Sequence, residues 1–222
     1  MTNTFQNFKD QILLNAKAAE ACNGEYRKAL ASTQFSELCE VLKENFNFAI
    51  RKKVLTPEIF TQFTQELANE KIYHNVNITE GYLFASDNST VEASDNSTVE
   101  ASGNSTVEAS GNSTVKAWGN STVEASGNST VKAWGNSTVE ASDNSTVEAS
   151  GNSTVKAWDN STVEASGNST VKAWGNSTVE AWDNSYIRNS SISECKLSDN
   201  AICRVGNEVQ YVSSDLTFVK KS

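Results

Sequence analysis

The sequence predicts an α+β protein. A small helical domain over residues 1–76 caps a single-stranded β-solenoid (β-helix) of octapeptide repeats, about two octads per coil, over residues 77–190. Degenerate coils and a C-terminal cap follow over residues 191–222. Three observations carry this expectation. From Asn88 the chain repeats Asn-Ser-Thr-Val-Glu/Lys-Ala-Ser/Trp-Gly/Asp through thirteen octads, and a fixed short period marks a solenoid whose units bury their apolar faces only on neighbours. Within each octad, polar and apolar residues alternate at period two, which is a strand with one buried face and not a 3.6-residue helical stripe. Before Asn88 the pattern changes to helical spacing with capping signals.

The helical region comes first. Phe5, Phe8, Ile12, Leu13 and Ala16 fall on one face of a helix ending near Cys22-Asn23-Gly24. A short helix follows from Glu25 to Ala31, and Thr33 caps a third that carries Phe35, Leu38, Cys39, Val41, Leu42 and Phe46. Thr56-Pro57-Glu58 combines a capping hydroxyl, a proline at the first helical position and an acid in the first turn. The helix it starts carries Ile59, Phe60, Phe63 and Leu67 and ends near Lys71. Gly81–Asp87 reads as a degenerate first octad, because Leu83 and Ala85 already occupy the frame of Val91 and Ala93.

In the octads Val and Ala point inward, with the Ser before Thr as a third inward candidate, while Thr, Glu or Lys and the next Ser or Trp point outward. Gly-Asn or Asp-Asn supplies the corner, since these residues tolerate positive φ. Small inward residues fill the space between two close sheets but would leave a void in a wider triangular bore, which favours two octads per coil. Thirteen octads then stack about six coils at ~4.8 Å each. The charges lean the other way: three octads per coil would place Lys116 between Glu92 and Glu140, whereas two place it beside Lys132. Stacked corners would let Asn side chains hydrogen-bond from rung to rung and would align the Thr hydroxyls. After Ser190, Cys195, Leu197, Asn200 and Cys203 keep the frame. Larger residues (Ile202, Val209, Tyr211, Val212, Leu216, Phe218, Val219) then suggest a cap closed by Lys220-Lys221-Ser222.

The net charge is −9, and residues 81–188 carry 5 basic and 13 acidic side chains, so nearly all of it lies on the repeats. That excludes a nonspecific nucleic-acid binder, which needs a basic stripe. The first residues lack a basic segment followed by an apolar run, and no segment reaches the length of a membrane span, so a cytoplasmic protein with no membrane association is expected. Four cysteines without Cys-x-x-Cys spacing fit reduced thiols, and Asn-Ser-Thr is read as corner chemistry and not as a glycosylation signal.

The stretch FKDQILLNAKAAEACNGEY…FSELCEVLKENFNFAIRKKVLTPE, with a tail LTFVKKS, resembles uncharacterised bacterial and phage or mobile-element proteins. In those proteins a helical N-terminal domain precedes octad β-solenoid repeats. The resemblance implies the fold and a mobile-element setting, and brings no catalytic motif.

No catalytic residue, cofactor site or metal site is expected. His74 is the one histidine, which leaves His-based metal sets and Ser-His-Asp triads hard to build, and it reads as a boundary residue between modules. No phosphate-binding glycine loop is expected, since Gly103, Gly111, Gly119 and their kin are repeat corners. Cys22, Cys39, Cys195 and Cys203 read as buried fillers. The Glu column (Glu92, Glu100, Glu108, Glu124) reads as a solvated charged face. The best interface candidates are Trp118, Trp134, Trp158, Trp174 and Trp182, which share one outward octad position, four of them two residues after a Lys. Corner packing is the competing explanation for these rings. The expected function is a non-enzymatic structural or interaction protein, an acidic β-solenoid presenting a regular Thr/Glu/Trp surface to a protein partner or to itself. The alternatives are an ice-binding solenoid, from its outward Thr array, and an acidic nucleic-acid mimic that blocks a basic protein site.

Overall fold

The computed structural model describes residues 4–189, 194–205, 208–211 and 216–219. The chain forms two compact units, one of residues 1–74 with 81–84 and the other of 75–80 with 85–222.

The first unit is helical: α1 Thr4–Ala18, α2 Asn23–Ala31, α3 Phe35–Glu44, α4 Phe46–Arg51, α5 Pro57–Gln62 and α6 Thr64–Asn69. Of the apolar face expected on α1, Phe8, Ile12 and Ala16 are buried. Phe8 stacks on Phe35 at 4.3 Å and meets Phe63 edge-on at 5.0 Å, so aromatic pairs from three segments join the core. The Thr56 cap forms as the sequence predicts, with the Ile59 amide donating to Oγ1 at 3.4 Å and Pro57 at the first helical position. Thr33 does not cap α3: its amide and hydroxyl both donate to Glu37, at 2.7 and 3.0 Å, and Gln34 takes the N-cap place.

Two expected helices are each broken into two. At Asn45 the side-chain amide donates to the Val41 carbonyl and to Glu25, both at 2.9 Å, and so diverts the backbone from continuing the helix. At Phe63 (φ −120°) the break precedes Thr64, whose hydroxyl bonds back to the Phe60 carbonyl at 2.7 Å. A short strand, Ile72–His74, pairs in parallel with Tyr82–Phe84.

The second unit is a parallel β-solenoid. Every repeat strand pairs with the strand sixteen residues away, as Thr122–Ala125 does with Thr138–Ala141. A coil is therefore two octads. The strands form two rows. On the first face they begin at Thr90, Thr106, Thr122, Thr138, Thr154, Thr170, Tyr186 and Ile202. On the second they begin at Thr98, Thr114, Thr130, Thr146, Thr162, Thr178 and Glu194. Val, Ala and the octad Ser, such as Val131, Ala133 and Ser129, are fully buried between the rows. Ser is thus the third inward residue. It fits because its hydroxyl donates to the carbonyl three residues back, as Ser129 does to Ser126 at 2.7 Å; the first octad is the exception, where the buried Ser89 hydroxyl has no partner.

Corners are held by left-handed residues. Gly151 has φ +74° and Asp143 has φ +59°. A Cβ on Gly151 would lie 3.0 Å from the Gly135 carbonyl oxygen one rung below. The Asn side chains form the expected ladder, from Asn104 on Asn88 at 3.1 Å to Asn200 on Asn184 at 3.4 Å.

The frame persists after residue 190: Cys195, Leu197, Ala201 and Cys203 are buried in register with the repeats. Both rows then end on a strand running the other way. Ile202–Val205 pairs antiparallel with Glu208–Tyr211, and Glu194–Leu197 with Leu216–Val219, so parallel stacking stops there. Val212 and the closing Lys220-Lys221-Ser222 lie outside the described residues, as do the side chains of Val209, Tyr211, Leu216, Phe218 and Val219.

Candidate interaction surface

Each rung presents three outward side chains per face: Thr, then Glu or a base, then Ser or Trp. Because the coil is two octads, odd and even octads sort onto different faces. The middle positions of the first face read Glu92, Glu108, Glu124, Glu140, Lys156, Lys172, Arg188 and Arg204. On the second they read Glu100, Lys116, Lys132, Glu148, Glu164, Glu180 and Lys196.

Lys116 does sit beside Lys132, the juxtaposition that argued against this coil, but each is neutralised from its other side. Lys116 pairs with Glu100 at 3.4 Å and Lys132 with both oxygens of Glu148 at 2.8 Å. Lys156–Glu140 and Lys196–Glu180 bridge the other two sign changes, at 2.5 and 2.7 Å. Every sign change along either row is thus an ion pair. Glu100 departs from the solvated face expected of its column, since it is fully buried.

The tryptophans are divided by the same sorting. Trp158 and Trp174 lie on neighbouring rungs of the first face and stack with centroids 5.3 Å apart and planes 10° from parallel. Trp118 and Trp134 occupy neighbouring rungs of the second face, and Trp182 stands three rungs beyond Trp134. Trp134 is the most exposed, at 36%; the others are half-buried. Between Trp134 and Trp182 lies a recess of about 130 Å³, floored by Ser150 and Ser166 and flanked by Glu148 and Glu164. Nothing in the octad pattern alone signals it, because it needs the rung-over-rung register.

The corner is built the same way with either side chain. Ser97 donates to the carbonyl of Ser94 at 2.7 Å and Ser142 receives Ser145 at 2.7 Å. Trp118 and Trp134 receive Ser121 and Ser137 at 2.8 and 2.7 Å in the same fashion.

The remaining sequence candidates fall in packed positions, with one exception. His74 is sandwiched between Phe60 and Phe84, at 5.0 and 5.3 Å. Cys39 is fully buried, and burial first, then the charge of Glu70, pushes its thiol up to about 12. Cys195 and Cys203, also buried, are hydrogen-bonded to each other, which raises the first thiol and lowers the second. Cys22 is the exception: it is exposed ahead of α2, because α1 ends four residues sooner than its apolar pattern implies. It borders an apolar recess of about 160 Å³ in the helical unit, opened by small residues such as Ala16, Ala29 and Ala49. Among the described residues, no three His, Cys, Asp or Glu side chains gather closely enough to hold a metal ion, and no helix is long and apolar enough to cross a membrane.

Fold and surface together define a class: a β-solenoid with a helical N-terminal unit and laddered, charge-sorted faces. No protein-family model, curated protein or solved structure matches the chain.

Proposed function

We propose that this chain is a non-enzymatic structural and interaction protein, whose solenoid faces present Thr, charged and Trp rows to a protein partner. One observation supports the reading above the others: the corner closes through the same Ser hydroxyl-to-carbonyl bond whether the outward residue is Ser or Trp. The corner therefore closes without the indole, and a large apolar ring kept half-exposed in a charged row is what a contact surface needs. The ice-binding alternative is weaker, because the neighbour of each outward Thr is a charged side chain and not a second Thr.

The test is replacement of Trp118, Trp134, Trp158, Trp174 and Trp182 together by Ser, the commoner residue of that position. The far-ultraviolet circular dichroism should be unchanged, while sedimentation or partner capture should be lost. A variant that binds as the original does would overturn the reading. Turnover in a broad hydrolase screen would overturn the non-enzymatic part, and thermal hysteresis would move the assignment to ice binding.

A further inference from the structure

The sorted charges say what the partner is. A two-octad coil places each second-face strand at a height midway between the first-face strands eight residues before and after it, about 2.4 Å from each. Lys132 thus lies level with the span from Glu124 to Glu140, and Glu164 level with the span from Lys156 to Lys172. Lys116 likewise falls between Glu108 and Glu124, and Glu180 between Lys172 and Arg188. From Lys116 to Glu180 each second-face charge meets an opposite charge at its own height on the first face. Glu148 lies where the first face changes sign, between Glu140 and Lys156.

Within a row the same charges are strained. Lys172 stands in register between Lys156 and Arg188, and Glu164 between Glu148 and Glu180. Like charges directly opposite on neighbouring strands destabilise a sheet. The repulsion among Lys156, Lys172 and Arg188 on one face and among Glu148, Glu164 and Glu180 on the other is relieved when the two faces meet.

We infer that the solenoid stacks on a second copy of this chain, first face against second face, with the two rods parallel. The inference rests on the interaction reading above and names its partner. Displacing one copy along the normal to its faces, with no shift along the rod, sets Lys156 and Lys172 against Glu148 and Glu164. It also sets Arg188 against Glu180, and Glu124 and Glu140 against Lys116 and Lys132. Strands on the two faces run in opposite directions around a coil, so the Trp end of each rung falls over the Thr end of its partner. Bulky rings therefore meet small side chains. The two contacting faces differ, so the association is heterologous and continues from copy to copy instead of closing as a dimer. A face seven rungs tall, ~34 Å by ~20 Å, offers roughly 700 Å² per copy, at the low end for a specific contact. The contact is accordingly weak and sensitive to salt.

The experiment is sedimentation equilibrium of the full chain across a concentration series at low salt and on the order of 0.5 M salt. Two single variants accompany it, Lys172→Glu and Glu164→Lys. The original chain should self-associate at low salt and dissociate at high salt. Each variant replaces a repelling neighbour in its own row by an attracting one, so it should melt no lower than the original. It should nevertheless self-associate about tenfold more weakly, since each faces a like charge across the contact. An equimolar mixture of the two should recover association, because the acid at 172 on one copy meets the base at 164 on the other. A chain that stays monomeric at low salt, variants that associate as the original does, or a mixture that fails to recover would each overturn the stacking. A monomeric chain that still captures a host protein through its tryptophans would leave the interaction reading standing and remove only this partner.

Discussion

Replacing Val131 by Asp tests the narrow two-sheet core most directly. Val131 is fully buried and lies in register between Val115 and Val147. The polar groups around it are committed: Ser129 donates to Ser126 at 2.7 Å, and the Thr130 amide donates to Ser113 at 2.8 Å. Val131→Ala removes two carbons, about 1.6 kcal/mol of transfer free energy, and the cavity left behind brings the cost to about 2 kcal/mol. Val131→Asp loses the same carbons and buries a carboxyl without a donor, which adds roughly 2–7 kcal/mol even in the neutral form. Burial raises the pKa of the introduced acid. Its folded state is then better tolerated below the ordinary Asp value near 3.9, and stability falls as pH rises above that. Urea denaturation followed by circular dichroism at pH 7 and pH 4 should rank the original chain first, Val131→Ala next and Val131→Asp last. The deficit of Val131→Asp should shrink at pH 4. Thr130→Ser, on the outward side, should stay within about 0.5 kcal/mol. If Val131→Asp unfolded at the original midpoint at pH 7, the assignment of inward and outward faces would be wrong.

Lys116→Met should cost about 3 kcal/mol in the same assay, because its partner Glu100 is fully buried, whereas Lys156→Met should cost below about 1 kcal/mol beside the half-exposed Glu140; equal losses would refute the distinction. At the corner, Gly151→Val should destabilise by about 2 kcal/mol or more, since a branched residue resists φ +74°. Gly151→Asp should cost about 1 kcal/mol at most, as Asp143 and Asp159 hold the same left-handed geometry at the corners eight residues before and after it. Thermal melting in the two variants separates these outcomes. For Cys39, burial favours the neutral thiol, so stability is complete below pH 9 and declines as pH rises from 9 toward about 12. Cys39→Ala should start less stable and show a shallower alkaline decline in the helical signal; parallel declines would place the effect elsewhere.

The sequence by itself determined the solenoid, its strands, corners and inward residues, because each octad repeats one local solution at period two. Small Val, Ala and Ser favoured two octads per coil while the Glu and Lys order leaned towards three, and only the sixteen-residue pairing register decided between them. The Thr56-Pro57-Glu58 start was legible because a cap is a local device. What local pattern could not show was the outcome of competition between distant groups. Asn45 breaks a helix by reaching Val41 and Glu25, and Glu100 is buried although it occupies an outward position. The five tryptophans look like one column in the octad, but sixteen-residue register sends Trp158 and Trp174 to one face and Trp118, Trp134 and Trp182 to the other. The same register turns an alternation of Glu and Lys along the chain into long runs of one sign on each face, joined by ion pairs where the sign changes. Strand order is written along the chain, but which side chains become neighbours is decided only when the coil closes and residues sixteen apart come within ~4.8 Å.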